Sequence, residues 1–288
     1  MARFWLTPDL AQRLLAAMET DEAEVRCSLD LGLSSLTVRI SAGMASFGED
    51  AALSAEQVRR VAGSKRGVFL LEADRLEPVQ VSGTSFYKLI PTDEAPTIEI
   101  DGIQMHRTTG THPFENATRS ARTVVRPGAR VLDTCGGLGY TAIAAARLGA
   151  AAVVSVEVDA NVRAIARKNP WSAEYFGNPV IELADGDAAG FVSAQPDAAF
   201  DRVIHDPPRF SRAGELYGAG FYAELARVLR RGGRMFHYTG EPYSRGRGRA
   251  FVPGVMKRLR AAGFEVKRAE QLQGVVARRG PAPGGRHM

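Results

Sequence analysis

The chain has 288 residues, 45% of them hydrophobic, enough to bury a full α/β core and still carry an appended domain. Charge is divided unevenly: residues 1–100 hold 10 Lys/Arg against 15 Asp/Glu, so with the whole chain at +5 residues 101–288 carry +10. Two cysteines, Cys27 and Cys135, exclude a disulfide framework and zinc spacing, no window approaches about 18 uninterrupted apolar residues, and Met1-Ala2-Arg3-Phe4 begins no signal peptide. A cytoplasmic, metal-free protein that binds no membrane is expected.

In chain order, residues 1–100 read as a small α+β domain. A helix at Pro8–Met18 is followed by alternating segments at Val25–Leu31 and Leu36–Ile40, a helix at Ser54–Ala62, and strands at Gly67–Glu72 and Val79–Tyr87. Such a domain is expected to shape substrate access, and its acidic balance argues against a broad nucleic-acid platform there. Residues 101–128, rich in polar groups, read as a linker or lid. Within it His106 and Arg107 are candidate substrate contacts, with a surface or structural role as the plain alternative.

From Val131 the pattern changes. Val131–Thr134, Ala152–Val156, Val180–Leu183, Arg202–His205, Arg234–Tyr238, Phe264–Ala269 and Gln273–Ala277 read as strands, with helices between the first five. This predicts an α/β domain over 129–279: a seven-stranded, mostly parallel, Rossmann-like sheet with helices on both faces, closed by an antiparallel hairpin. Residues 280–288 read as a disordered tail.

The first of these strands runs into Asp133-Thr134-Cys135-Gly136-Gly137-Leu138-Gly139-Tyr140 and then an alanine-rich helix, Thr141–Leu148. Gly137 and Gly139 would let the backbone approach a ligand where a Cβ would collide. The second strand delivers Glu157, 24 positions after Asp133, where one βαβ unit places an acid for ribose hydroxyls. This resembles motif I of the class I S-adenosylmethionine (SAM) methyltransferases, with Cys135 in place of the first glycine. An acid before the glycines suits a methionine ammonium and would repel a pyrophosphate. The cofactor-binding candidates are Asp133, Cys135, Gly137, Gly139, Tyr140, Glu157 and Val158, with Asp187 after the third strand for the adenine amine, where Asp185 competes.

About 70 residues beyond motif I, a fourth strand ends in Asp206-Pro207-Pro208-Arg209-Phe210. This resembles motif IV of the amino-methyltransferases, with Arg209 inserted before the aromatic. A carboxylate (Asp206) and a backbone carbonyl (Pro207) accept both hydrogens of an amine, and two prolines stiffen the backbone and supply no competing N–H. Phe210 would stack on a planar ring, worth roughly 1–3 kcal/mol per base. Asp206, Pro207, Pro208 and Phe210 are therefore the catalytic candidates. Arg209, Tyr238 and the glycine-spaced Arg245 and Arg247 join His106 and Arg107 as candidate substrate contacts, the arginine loop for phosphates.

As a whole the chain resembles the archaeal-type methyltransferase family that carries the Asp-Pro-Pro-Arg-Phe motif IV. The shared words are Phe86-Tyr87-Lys88-Leu89, Met105-His106-Arg107-Thr108, the motif I stretch, Asn169-Pro170-Trp171-Ser172, His205 to Ser211, and Phe236-His237-Tyr238-Thr239-Gly240. The resemblance implies a Rossmann-like methyltransferase sheet, SAM as cofactor with S-adenosylhomocysteine as product, and N4-methylation of cytidine in ribosomal RNA, so that RNA is the expected partner. Two alternatives keep the fold: a small-molecule amine methyltransferase and a polyamine aminopropyltransferase, which shares the sheet and uses a decarboxylated cofactor.

Overall fold

The computed structural model describes residues 2–20, 22–48, 51–240 and 250–280, so Arg245, Arg247 and the end of the chain after Gly280 lie outside the described residues. Two compact units are present, Met1–Pro113 with Asn161–Ala173, and Phe114–Ala160 with Glu174–Met288.

The first unit holds three antiparallel sheets. β1 (Arg3–Leu6), β6 (Phe69–Glu72) and β7 (Arg75–Pro78) form one in the order β1-β6-β7, and β2 (Glu24–Cys27), β3 (Leu36–Ser41), β4 (Met44–Phe47) and β5 (Ala51–Ser54) form a meander. A second meander joins β8 (Gln80–Ser82), β9 (Phe86–Ile90), β10 (Thr97–Ile100) and β11 (Ile103–Gln104). Helix α1 (Pro8–Glu19) starts where the Thr7 hydroxyl accepts from the Leu10 amide and Pro8 takes the first turn, and α2 (Ala55–Ala62) starts in a capping box between Ser54 and Gln57. Their apolar stripes, Leu10, Leu14, Ala17, Val58 and Val61, bury against Val25, Val38 and Leu53. Residues 161–173 belong to this unit through two indoles: Trp5 Nε1 donates to the Lys168 carbonyl (2.7 Å) and Trp171 Nε1 to that of Leu31 (2.9 Å).

Three expectations change here. The strand expected over Val25–Leu31 stops at Cys27, because the Ser28 hydroxyl accepts from the Gly32 amide (2.7 Å) and Asp30 from the Ser34 amide (2.8 Å), which turns the chain. The segment expected as one strand over Val79–Tyr87 is instead the β8–β9 hairpin, since Gly83 and Ser85 close a turn. Residues 101–128 are no bare linker: β11 pairs with β10, and Pro113–Arg122 form helix α3.

The second unit contains the expected seven-stranded sheet. Its strands are β12 (Arg130–Asp133), β13 (Ala152–Glu157), β14 (Ile181–Asp185), β15 (Phe200–His205), β16 (Leu229–Tyr238), β17 (Phe264–Ala269) and β18 (Gly274–Arg279), in the order β14-β13-β12-β15-β16-β18-β17. The first five are parallel and β18 runs opposite to both neighbours. Helices α4 (Tyr140–Arg147), α6 (Ala173–Gly177), α7 (Ala188–Ser193), α8 (Ala219–Val228) and α9 (Phe251–Ala261) lie between strands, and α5 (Ala160–Ala166), which follows β13 in the chain, falls almost wholly in the first unit.

Alternation along each strand sorts the two faces. Leu132, Val154 and Val203 meet Val192, Leu225 and Leu259 from α7, α8 and α9, whereas Val131, Val153 and Ile204 meet Ala121, Ala142 and Ile143 from α3 and α4. Strand β16 begins at Leu229, earlier than the expected Arg234, with an irregularity opposite Phe200 and Arg202. The strand order reverses between β12 and β15, and the crevice at the carboxyl ends of such strands is where open α/β sheets bind ligands.

Candidate active site

Asp133 ends β12 and is fully buried. Its Oδ2 accepts from the hydroxyls of Thr141 (3.0 Å) and Ser155 (2.9 Å), while Oδ1 is buried with no hydrogen-bond partner. Burial, reinforced by the charge of Glu157, pushes its carboxyl up to about 6 against these two hydroxyls.

The turn that follows folds on itself. The Gly136 amide donates to the Val156 carbonyl (2.8 Å), the Gly139 amide to that of Gly136 (2.7 Å), and Gly137 and Gly139 take φ of +55° and +81°. Glu157, at the end of β13, clamps the turn: Oε2 accepts from the Gly137 amide and Oε1 from the Asp159 amide, both at 2.8 Å.

Close approach at this turn involves a protein side chain. A Cβ on Gly139 would stand 2.5 Å from Cδ1 and Cδ2 of Tyr175, and one on Gly136 would meet the Tyr175 hydroxyl and, at 2.6 Å, Ser155 Oγ. The expectation that the glycine at 139 is small to admit a ligand is thus corrected: the ring of Tyr175, on α6 and buried, occupies that side. Its hydroxyl lies 3.0 Å from Ser155 Oγ, which links it to Asp133.

The other cofactor candidates take distinct places. Tyr140 is buried at the start of α4, edge-on to Phe114 (5.6 Å), so its ring belongs to the core. Val158, next to Glu157, is an exposed apolar side chain. Cys135 is partly exposed, and burial raises its thiol well above its usual value, which leaves it a neutral small group. Asp187 caps α7, its Oδ1 accepting from the Gly190 amide (2.8 Å); Asp185 ends β14 directly beside Glu157 in register.

Asp206 follows β15 across the switch point from Asp133. It is only partly exposed, and among the described residues nothing hydrogen-bonds its carboxylate. Burial first, then the charge of Asp133, raises it to about 7. Pro207 is buried and Pro208 exposed, and the Pro208 carbonyl accepts from the Tyr217 hydroxyl (3.0 Å). Phe210 is 45% exposed and edge-on to Tyr217 and Phe251, each at 5.6 Å. Arg209 is exposed in the same loop.

Behind the loop two histidines stack across β15 and β16, ring centroids 4.4 Å apart. The Leu216 carbonyl only accepts, so His205 Nε2 donates to it (3.0 Å) and Nδ1 accepts from the Thr134 hydroxyl (2.7 Å). His237 Nδ1 donates to the His205 carbonyl (3.3 Å), which leaves Nε2 to accept from Tyr222 (2.9 Å). Burial drives His205 down to about 4 and His237 well below its ordinary value, so both are neutral. Tyr238, at the end of β16, donates to Gln273 Oε1 (3.2 Å).

The sheet therefore gathers Asp133, Gly137, Gly139, Glu157, Val158 and the Asp206–Phe210 loop at one set of strand ends. His106 and Arg107 belong to the first unit. There His106 Nδ1 lies 2.9 Å from Thr97 Oγ1, with burial pushing the ring down to about 4, and Arg107 Nε donates to the Thr109 carbonyl (3.2 Å). Tyr175, Tyr217, Phe251 and His237 carry no expected role from the sequence. For Tyr175 the only sequence signal is that Gly136 and Gly139 accommodate a large neighbour.

Among the described residues no group of His, Cys, Asp and Glu is arranged to hold a metal, and no helix is long and apolar enough to cross a membrane. An orphaned buried carboxylate oxygen, a clamped glycine turn and an exposed apolar residue after an acid are groups of the kind that would suit the amino, ribose and adenine parts of SAM. Residues 74–179 match the ribosomal protein L11 methyltransferase (PrmA) family. A spermidine synthase solved in complex with the transition-state analogue AdoDATO shares the fold, with a TM-score of 0.57 over 70% of this chain and 73% of that one at 19% identity. Putrescine N-methyltransferase 4 of Nicotiana tabacum is 28% identical over 167 residues, 55% of this chain and 43% of that enzyme. The uncharacterized protein MJ1233 of Methanocaldococcus jannaschii is 40% identical over 279 residues, 95% of this chain and 94% of its own. The chain belongs to the family of that archaeal protein and has the class I SAM-dependent methyltransferase fold.

Proposed function

We propose that the protein is an N-methyltransferase that places the methyl group of SAM on an amine nitrogen held against Asp206. The observation that carries this reading is the Asp206 carboxylate itself, set just beyond the end of β15, partly exposed and raised to about 7. A carboxylate so raised is a better proton acceptor at neutral pH than an ordinary one. The bound sulfonium supplies an already activated methyl group. The chain supplies placement: Asp133 Oδ1 receives the amino group, Glu157 the ribose, and Val158 covers the adenine. Asp206 and the Pro207 carbonyl accept the amine hydrogens and turn the nitrogen lone pair toward the methyl carbon. As the N–C bond forms and the S–C bond breaks, the surplus proton passes to the Asp206 carboxylate or to water.

The named relatives, a putrescine N-methyltransferase and a spermidine synthase, favour a small aliphatic amine as acceptor over RNA. One observation favours the second reading, an exocyclic base amine such as cytidine N4: Phe210 presents an exposed ring braced by Tyr217 and Phe251. Label from tritiated SAM, offered separately with putrescine and with total RNA, decides between them. Label in the diamine supports the first, label in an N4-methylated cytidine the second, and label in neither overturns both. Phe210→Ala sharpens the choice. Loss of stacking should raise KM for an RNA acceptor by roughly 5- to 150-fold, the equivalent of 1–3 kcal/mol, and leave that for a diamine nearly unchanged.

Glu157→Ala removes two charge-assisted hydrogen bonds that hold the glycine turn as well as the proposed ribose contact. SAM affinity should fall by roughly 10- to 100-fold, from about 1.5–3 kcal/mol for a bond to a charged group. Titration calorimetry reads this directly, and an unchanged affinity would remove Glu157 from the cofactor site.

A further inference from the structure

A second feature of the sheet is unused by this chemistry. Arg202, Arg234 and Arg278 are direct register partners across β15, β16 and β18, so their side chains leave one face of the sheet in a row. The next rung on the same face, Ile204, Phe236 and Val276, carries the apolar cluster shared with α3 and α4. Burial chiefly, opposed by the neighbouring Asp201 and reinforced by the charges of Arg126 and Arg234, disfavours the Arg202 cation. Like charges directly opposite one another destabilise a sheet, and here three meet.

Acids neutralise the row only in part. Asp201 already holds the Arg130 amide and Arg230 (2.8 Å each), and Glu265 reaches only Arg278 (3.4 Å). Among the described residues Arg202 and Arg234 have no salt bridge, and Arg202 Nε is buried with no hydrogen-bond partner. Three arginines at the spacing of neighbouring strands, ~4.8 Å apart, suit several phosphates in line better than one small anion.

We propose that this arginine ladder is a docking site for the phosphates of a nucleic-acid strand. The site lies about 13 Å before Asp206 along β15, at ~3.3 Å per residue, and its occupancy does not depend on which amine is methylated.

The test compares the wild-type protein with Arg234→Gln/Arg278→Gln, using a labelled single-stranded RNA titrated between about 50 and 200 mM KCl. The plot of log affinity against log salt should be shallower by ~0.7 for each arginine–phosphate pair removed, so by ~1.4 in the double variant. The charge-reversed Arg234→Glu should go further. SAM affinity serves as the folding control, and relief of repulsion should raise the melting temperature of the double variant. Inorganic phosphate separates the sources. If it raises the melting temperature of the wild type alone while RNA slopes coincide, the ladder takes free phosphate and the nucleic-acid proposal is wrong. Identical slopes with no response to phosphate overturn the site altogether.

Discussion

Asp206→Asn should lower kcat for methyl transfer by roughly 10²- to 10⁴-fold, the range for losing a positioned acid–base group, while SAM still binds. The amide keeps the shape of the side chain but cannot take the departing proton, and it turns a donor toward an amine that needs acceptors. In the wild type the rate should climb as pH rises through about 7, because the ionised carboxylate is the working form. That inflection should vanish in the variant. Stability should move the other way. A carboxyl whose folded pKa is raised binds its proton more tightly in the native than in the unfolded state, so its ionisation opposes folding as pH rises from about 4 to 7. Asp206→Asn should therefore melt at a higher temperature than wild type at pH 8, with the gap closing toward pH 4. Retained activity and an unchanged pH profile would remove Asp206 from the chemistry, whatever the substrate.

The second large effect concerns the glycine turn. Gly136→Ala places a methyl group against Tyr175 and Ser155, and Gly139→Ala adds a left-handed backbone, φ +81°, to a collision with the Tyr175 ring. Overpacking costs typically 1–3 kcal/mol, and alanine at positive φ roughly 1 more, so Gly139→Ala should be the worse of the two. Because the obstacle at Gly139 is one side chain, the effects there should not add. Gly139→Ala with Tyr175→Ala should be less destabilised than the two single changes predict, by about 0.5–3 kcal/mol of coupling in a denaturant-melt cycle. Additive behaviour would show that the turn needs glycine for another reason. Tyr175→Phe isolates the hydroxyl: it keeps the ring and removes the bridge to Ser155, and through it one support of Asp133.

Much of the sheet is legible in the sequence because parallel strands buried on both faces read as short apolar runs, and the glycine turn and the Pro-Pro pair mark where two of them end. All seven expected strands are present. The errors cluster where local hydrogen bonding competes with the ladder: Ser28 and Asp30 end a strand early, and the bend at Gly83 splits another. β16 reads short because Gly232-Gly233 looks like a turn, whereas the strand continues across it through an irregularity, paired at Leu229 before it and from Arg234 after it. Of the candidate site, residues with chemistry are visible and residues with shape are not. Asp133, Glu157 and Asp206 announce themselves as acids at strand ends, but Tyr175, Tyr217 and Phe251 arrive from later elements, and no period in the sequence ties them to the glycines or to Phe210. Asp187 shows the converse: an acid well placed by motif also has a local task as a helix cap, which the sequence signal cannot separate from ligand binding.

Both tryptophans of the chain, Trp5 and Trp171, lie in the first unit, each with its indole N–H on a backbone carbonyl there. Intrinsic tryptophan fluorescence is therefore a reporter of that unit alone, although one of its two emitters is encoded between β13 and β14 of the other. An unfolding curve followed by emission and one followed by circular dichroism observe different parts of the molecule. Their coincidence or separation would measure how strongly two interleaved stretches of one polypeptide share a single cooperative transition.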